Sequence, residues 1–185
     1  DVSTSDVPAA VSCAGTSPGT SFVCTYTVVE GGTDGTAAFT LDFSDTAGNP
    51  GVQVANAGIT DGSAVDVDAN TPTLTAVAIA SNNADTALAL VGDVITVSVT
   101  ASEDVTTPTA SFTSLSSDAS AVAASCIGAS PGTSYSCSYT VVEGGIDGTA
   151  AFTVDFSDTA GNQGVQVANA DVTDGSAVDV DANTP

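Results

Sequence analysis

The sequence predicts an all-β chain of tandem Greek-key β-sandwiches, about seven strands in each complete repeat, repeating with a period of 113 residues. Three observations predict it. One block of sequence occurs twice; apolar and polar residues alternate over short runs; and Gly, Asn, Asp and Pro punctuate the intervals between those runs.

The duplicated block comes first. Residues 12–72 align with residues 125–185 over 61 positions without a gap, and ten positions differ, among them Ala14/Ile127, Phe22/Tyr135, Val23/Ser136 and Pro50/Gln163. Cys13 recurs as Cys126, a spacing of 113. That period exceeds the roughly 20 to 50 residues of solenoid repeats and has the size of a whole domain. Residues 73–185 therefore make one complete unit, whereas residues 1–72 hold the last part of another and lack the counterpart of 73–113. A sandwich without its first strands has unpaired edges and an open core. The sequence thus predicts that the array continues before Asp1 or that a neighbouring chain supplies the missing strands.

The strands are read most clearly in the complete unit. Residues 94–101 alternate, placing Ile95, Val97, Val99 and Ala101 on one face, and residues 151–156 do the same with Phe152, Val154 and Phe156. Further strands are predicted over 74–80, 109–114, 119–126, 134–142 and 164–168, separated by turn signals such as Gly144-Gly145 and Asp147-Gly148. No segment carries a helical period.

Composition narrows what such a chain can do. There is no Lys, Arg or His against 22 Asp plus Glu, a formal charge of −22. No salt bridge between side chains can form, so carboxylates that approach one another must spread into solvent, take a proton, accept hydrogen bonds or share a cation from outside. The usual general base, phosphate-binding cations and Schiff-base amine are missing, and the chain is expected not to be an enzyme. A carboxylate pair in a pocket, as in glycosidases, is the one catalytic route left, and a duplicated unit argues against it. Nucleic acid is excluded as a partner because its binding draws on Lys and Arg. An anionic membrane surface would repel the chain, and no apolar run approaches the roughly 20 residues of a membrane helix. Targeting or anchoring signals are expected outside this stretch. Hydrophobic residues are mostly Ala and Val, with no Trp or Met, a set suited to thin sandwich cores.

Each copy carries one cysteine pair, Cys13 with Cys24 and Cys126 with Cys137, around a Ser-Pro-Gly turn. Local disulfides within each hairpin are the economical reading, against free thiols or a metal site that would need more ligands. They imply an oxidising, extracellular setting, at the cell surface or in a secreted fibre.

The run Val91-Gly92-Asp93-Val94-Ile95-Thr96-Val97, then Thr100-Ala101-Ser102-Glu103, Tyr139-Thr140-Val141, and Phe152 through Asp158-Thr159-Ala160-Gly161-Asn162, resembles the bacterial Ig-like repeats of large surface adhesins. The resemblance covers nearly all of 73–185 and residues 26–49 of the partial copy. It implies a seven-stranded Ig-like sandwich in each repeat, and long arrays that hold an adhesive tip away from the cell. The chain departs from that family in its hairpin cysteines and its lack of Lys and Arg.

Three stretches rich in acids and amides are candidates for a calcium site. One is the connector Asp66-Val67-Asp68-Ala69-Asn70-Thr71-Pro72, repeated at 179–185, which is similar to the calcium-binding linker of cadherins. The others are Glu103-Asp104, placed just after a strand, and the turn Asp158 to Asn162. In an Ig-like sandwich these would converge, so that Asp66, Asp68 and Asn70 face Glu103, Asp104, Asp158 and Asn162. Together they would offer oxygens to Ca2+, a hard cation that takes six to eight of them. Asp45 and Asn49, and Asp179, Asp181 and Asn183, are the corresponding partial sites. The competing reading is that Asp and Asn here only initiate turns. Asp42, Asp155, Glu30 and Glu143 are expected to be solvated.

The expected function is a structural repeat module, a calcium-stiffened spacer or shaft whose partners are neighbouring repeats or neighbouring copies in a fibre. Two alternatives stay open: an adhesive module that binds glycan or another cell through repeated loops, and an acidic surface-layer protein.

Overall fold

The computed structural model describes residues 2–3, 11–113, 115 and 120–183. The chain divides into two compact units, Asp1–Asn70 and Thr71–Pro185. Both are all-β, and among the described residues each has one short 3-10 turn, Asn56–Gly58 and Asn169–Asp171.

The leading unit contains β1 (Val2–Ser3), β2 (Ser12–Ala14), β3 (Val23–Thr25), β4 (Gly35–Thr36), β5 (Ala38–Leu41), β6 (Val54–Ala55) and β7 (Asp66–Val67). They form a three-stranded sheet β1-β5-β6 and two isolated pairs, β2-β3 and β4-β7.

The complete unit contains β8 (Leu74–Ser81), β9 (Leu88–Leu90), β10 (Val94–Val105), β11 (Thr109–Phe112), β12 (Val122–Ala123), β13 (Ser125–Ile127), β14 (Gly132–Thr140), β15 (Gly148–Thr149), β16 (Phe152–Asp155), β17 (Val167–Ala168) and β18 (Asp179–Asp181). Two four-stranded sheets, β13-β14-β10-β8 and β12-β11-β16-β17, contribute buried residues to one core. Between β12 and β13 the chain passes from one sheet to the other at Ala124, whose N–H donates to the Ala110 carbonyl at 2.9 Å. This crossing divides the single strand predicted over 119–126. Ser114 and Ala119, the predicted ends of two strands, lie outside the described residues, as do Thr184 and Pro185.

A third sheet, β15-β18-β9, was not expected from the sequence. β18 runs antiparallel to β15 and parallel to β9, with Asp179 opposite Leu88 and Asp181 opposite Leu90. The acidic stretch at 179–181 is thus a strand of its own unit and not simply a connector, and Asp66–Val67 likewise pairs with β4.

The long alternating run behaves as its pattern predicts. Ile95, Val97, Val99 and Ala101 are all buried between the sheets. β10 continues beyond the predicted end, through Glu103 and Asp104 to a buried Val105, with register irregularities after Thr100. Phe112, Phe152, Val154 and Phe156 fill the facing sheet, with the Phe112 and Phe152 rings edge to face at 6.5 Å.

Both disulfides form within their hairpins. Cys13 and Cys24 sit directly opposite one another across β2 and β3, with Cα atoms 4.0 Å apart. Cys126 and Cys137 do the same across β13 and β14, at 3.9 Å. Such bonds are at home in a non-reducing environment. Among the described residues no helix is long and apolar enough to cross a membrane.

Candidate functional site

Acidic residues of the complete unit come together where β10 ends. Ala101, Glu103 and Val105 share the inward phase of the strand, so Glu103 takes a place that its neighbours fill with apolar side chains. Val105 bridges to Asp158, the first residue of the turn 158–162. This register brings carboxylate oxygens of Glu103 and Asp158 within 4.8 Å of each other, with Asp158 only 2% exposed. Asp104 stands on the other, exposed face of the strand, apart from Glu103.

The turn organises Asp158 by itself. Its Oδ1 accepts the backbone N–H groups of Ala160 (2.9 Å), Gly161 (2.7 Å) and Asn162 (2.9 Å). Its Oδ2 accepts the Asn162 side-chain amide at 2.8 Å. Gly161 has φ +100°, which explains the glycine in Asp-Thr-Ala-Gly-Asn. Asp45 builds the same turn in the leading unit, accepting from the Ala47 and Asn49 N–H groups and from the Asn49 side chain, but there it is exposed. The Asn49 side-chain amide, then the Asn49 backbone N–H, hold the Asp45 carboxyl below its ordinary value. The turn therefore forms locally in either setting, as the turn-initiating reading expects. What differs is its surroundings: in the complete unit a second carboxylate, from Glu103, stands beside it.

The other candidates are engaged within their own units. Asp66 accepts the Thr36 hydroxyl at 2.7 Å, and Asp179 accepts that of Thr149 at 2.7 Å. Asp68 and Asp181 accept the N–H two residues on, from Asn70 (3.4 Å) and Asn183 (3.3 Å). Asn70 donates its side-chain amide to both Asp34 oxygens at 2.9 Å and to the Gly32 carbonyl at 3.1 Å. Asn183 likewise donates to Asp147 Oδ1 at 2.8 Å and to the Gly145 carbonyl at 3.2 Å.

The chain matches no protein-family model, no curated protein and no solved structure.

Two groups of aspartates, read in the sequence only within turn signals or the resembling run, hold loops in place. Asp34 and Asp147, each in a Gly-Gly-x-Asp-Gly loop, clamp the end of their unit by accepting the N–H of Ala69 and Ala182 at 2.8 Å. The Ala69 N–H, followed by the Asn70 side chain, lowers the Asp34 pKa. The loop is also tight: a Cβ on Gly145 would lie 2.7 Å from the Leu115 carbonyl oxygen and 2.9 Å from Ala182 Cβ. The signal was the exact recurrence of Gly, Gly, Asp and Gly at 31, 32, 34, 35 and at 144, 145, 147, 148. Asp93 is the second, bridging the Asn83 side-chain amide (2.8 Å) and the Leu90 N–H (2.9 Å), and these two contacts lower its pKa in that order. Asp42 and Asp155, expected to be merely solvated, each accept a cross-strand glutamine amide, from Gln53 and Gln166, at 2.9 Å.

Proposed function

We propose that this chain is a structural repeat of an extracellular surface protein or fibre, a spacer built of Ig-like Greek-key sandwiches and stiffened by calcium. The observation that carries this reading is the near-identity of two copies of a 61-residue block at a domain-length spacing of 113, because repetition adds length to an array, whereas a catalytic site gains little from it. The sandwich reading is supported by two four-stranded sheets contributing to one core, with the chain crossing between them at Ala124.

Calcium is the finer part of the proposal. Glu103 and Asp158 bring two carboxylates within 4.8 Å in a chain that has no basic side chain to neutralise them. Oxygen-only ligands, net negative charge and loops of variable geometry suit Ca2+ better than the stricter Mg2+.

The test is a calcium titration of the 185-residue chain, read by thermal unfolding and by X-ray scattering. A site filled at about 100 times its Kd adds about 2.7 kcal/mol of stability. Scattering should show the chain extend and stiffen, and Glu103→Gln should remove both effects. Identical melting and scattering curves in calcium and in EDTA would sink the calcium reading.

A further inference from the structure

The sheet β13-β14-β10-β8 turns one face to the core of the complete unit and the other outward. On the outer face the register lines side chains up in rows across the strands. One row runs Ile127, Ser136, Ser98, Ala78, and the next runs Ser125, Ser138, Thr96, Ala80. A third holds Ser134, Thr100 and Ala76. All of these residues are exposed or half-buried, and none is charged.

The other two sheets of this unit differ. Asp155 stands outward on β16, and Asp179 and Asp181 stand outward on β18. In a chain with 22 acids and no base, repulsion opposes contact between copies wherever carboxylates would meet. Across the three rows two copies can lie together without that juxtaposition. Carboxylates return at the rim, where Asp104 follows near the end of β10.

The face also has relief. Ile127 is 69% exposed and stands beside an open hollow of about 360 Å³, lined in part by Ser98, Thr100, Gly128, Ser134 and Ser136. A knob and a hollow on one face make it self-complementary. A two-fold axis lying between two such faces sets each Ile127 against the hollow of the other copy, the geometry of an isologous pair. The Cys126–Cys137 disulfide ties β13 to β14 beside Ile127 and holds the knob in place. The recurring block alters this row in a compensated way. Ile127 opposite Ser136 becomes Ala14 opposite Val23, so one branched apolar side chain stays in the row and moves to the neighbouring strand.

We propose that this outer face is a self-association surface, on which the complete units of two chains pack sheet to sheet with each Ile127 in the hollow of the other. The occupant is a second copy of this chain. Strands about 4.8 Å apart, with a rise of about 3.3 Å per residue, give each copy roughly 400 Å² of contact. That is below the roughly 800 Å² per partner of stable interfaces, so a single pair is weak and reversible. On the spacer reading, repetition along adjoining shafts multiplies the contact into lateral bundling. The contact between two units rests neither on that reading nor on calcium.

The test is a set of amide NMR spectra of the 185-residue chain in EDTA. Protein is compared at about 0.05 and about 1 mM, in about 0.01 and about 1 M NaCl, where the Debye length falls from about 30 to about 3 Å. Shifts that grow with protein concentration are expected at 76–80, 96–100, 125–127 and 134–138, and they should be larger in high salt, which screens the repulsion between acidic copies. Ile127→Asp should weaken association about tenfold or more, because it removes the apolar knob and sets like charges face to face. Ser98→Asp, in the hollow, should act in the same way, and both variants should keep the melting temperature of the unchanged chain, as exposed positions do. The double change Ile127→Ala with Ser136→Val reproduces the row of the other block and should retain association. No concentration dependence in high salt, shifts confined to other surfaces, or unchanged association of the two aspartate variants overturns the proposal. Loss of association in the double variant also overturns it, because a branched apolar side chain in this row is then not what the second copy meets.

Discussion

Phe43 and Phe156 hold the same place in the same block of sequence, yet Phe43 is 55% exposed and Phe156 is 4% exposed. The contrast recurs at Phe22 and Tyr135 (52% and 3%) and at Val65 and Val178 (65% and 0%). Phe43/Phe156 and Val65/Val178 are the same residue in both copies, and Phe22 differs from Tyr135 only by a hydroxyl. Hairpin, disulfide, Asp-Thr-Ala-Gly-Asn turn and Gly-Gly-x-Asp-Gly clamp all form in both units. What separates them is residues 73–105, which in one unit bring Val97, Val99, Ala101 and Val105 against those side chains. Local hydrogen bonding and turn chemistry thus suffice for the frame of the second part of the repeat, while its core depends on a segment distant in sequence.

The comparison breaks most easily at the phenylalanines. Phe156→Ala should cost about 3–5 kcal/mol, the range for a large side chain removed from a packed core. Phe43→Ala should cost under about 1 kcal/mol, as expected for an exposed position. Denaturant unfolding of both variants checks this, and equal costs would contradict the difference in burial.

The turn aspartates sharpen it at a smaller scale. Asp158→Ala removes a buried carboxylate that accepts four hydrogen bonds and should destabilise the complete unit by about 2–3 kcal/mol. The same change at Asp45 leaves its donors open to water and should be much milder. Thermal melts of the pair would show whether burial or the turn itself sets the cost.

Acid should separate the units least. Asp34, Asp45 and Asp61 in the leading unit, and Asp93 and Asp174 in the complete one, have pKa values lowered by hydrogen bonds they accept. A carboxylate with a lowered folded-state pKa contributes stability above the unfolded value of about 3.9, and loses it as pH falls through the folded value. Melting temperatures should therefore drop below about pH 4, with neither unit clearly first. Loss of one unit alone at pH 5 would point to a different titrating group.

Much of this was legible in the sequence because its causes are local. Alternation located β10 and β16, and cysteines eleven residues apart around a Ser-Pro-Gly turn gave the hairpin disulfides. β9 and β18 were not legible, since three-residue strands carry too little alternation, and Asp179-Val180-Asp181 reads as a solvated connector until Leu88–Leu90 is beside it. Glu103 was placed in a loop because the apolar run pauses after Ala101. Its odd-numbered phase with Ile95, Val97, Val99, Ala101 and Val105 was the available sign that it lies on the inner face. The exposure of Phe43 could not be read from residues 12–72, which carry the same pattern as their buried counterparts.

The parallel pairing of β9 with β18 bears on how a repeat would respond to tension. Pulling the C-terminal end of β18 away from the start of the unit slides it lengthwise along β9 and does not peel it off sideways. The ladder from Leu88/Asp179 to Leu90/Asp181 is then loaded in shear, and its hydrogen bonds must give way together, not one after another.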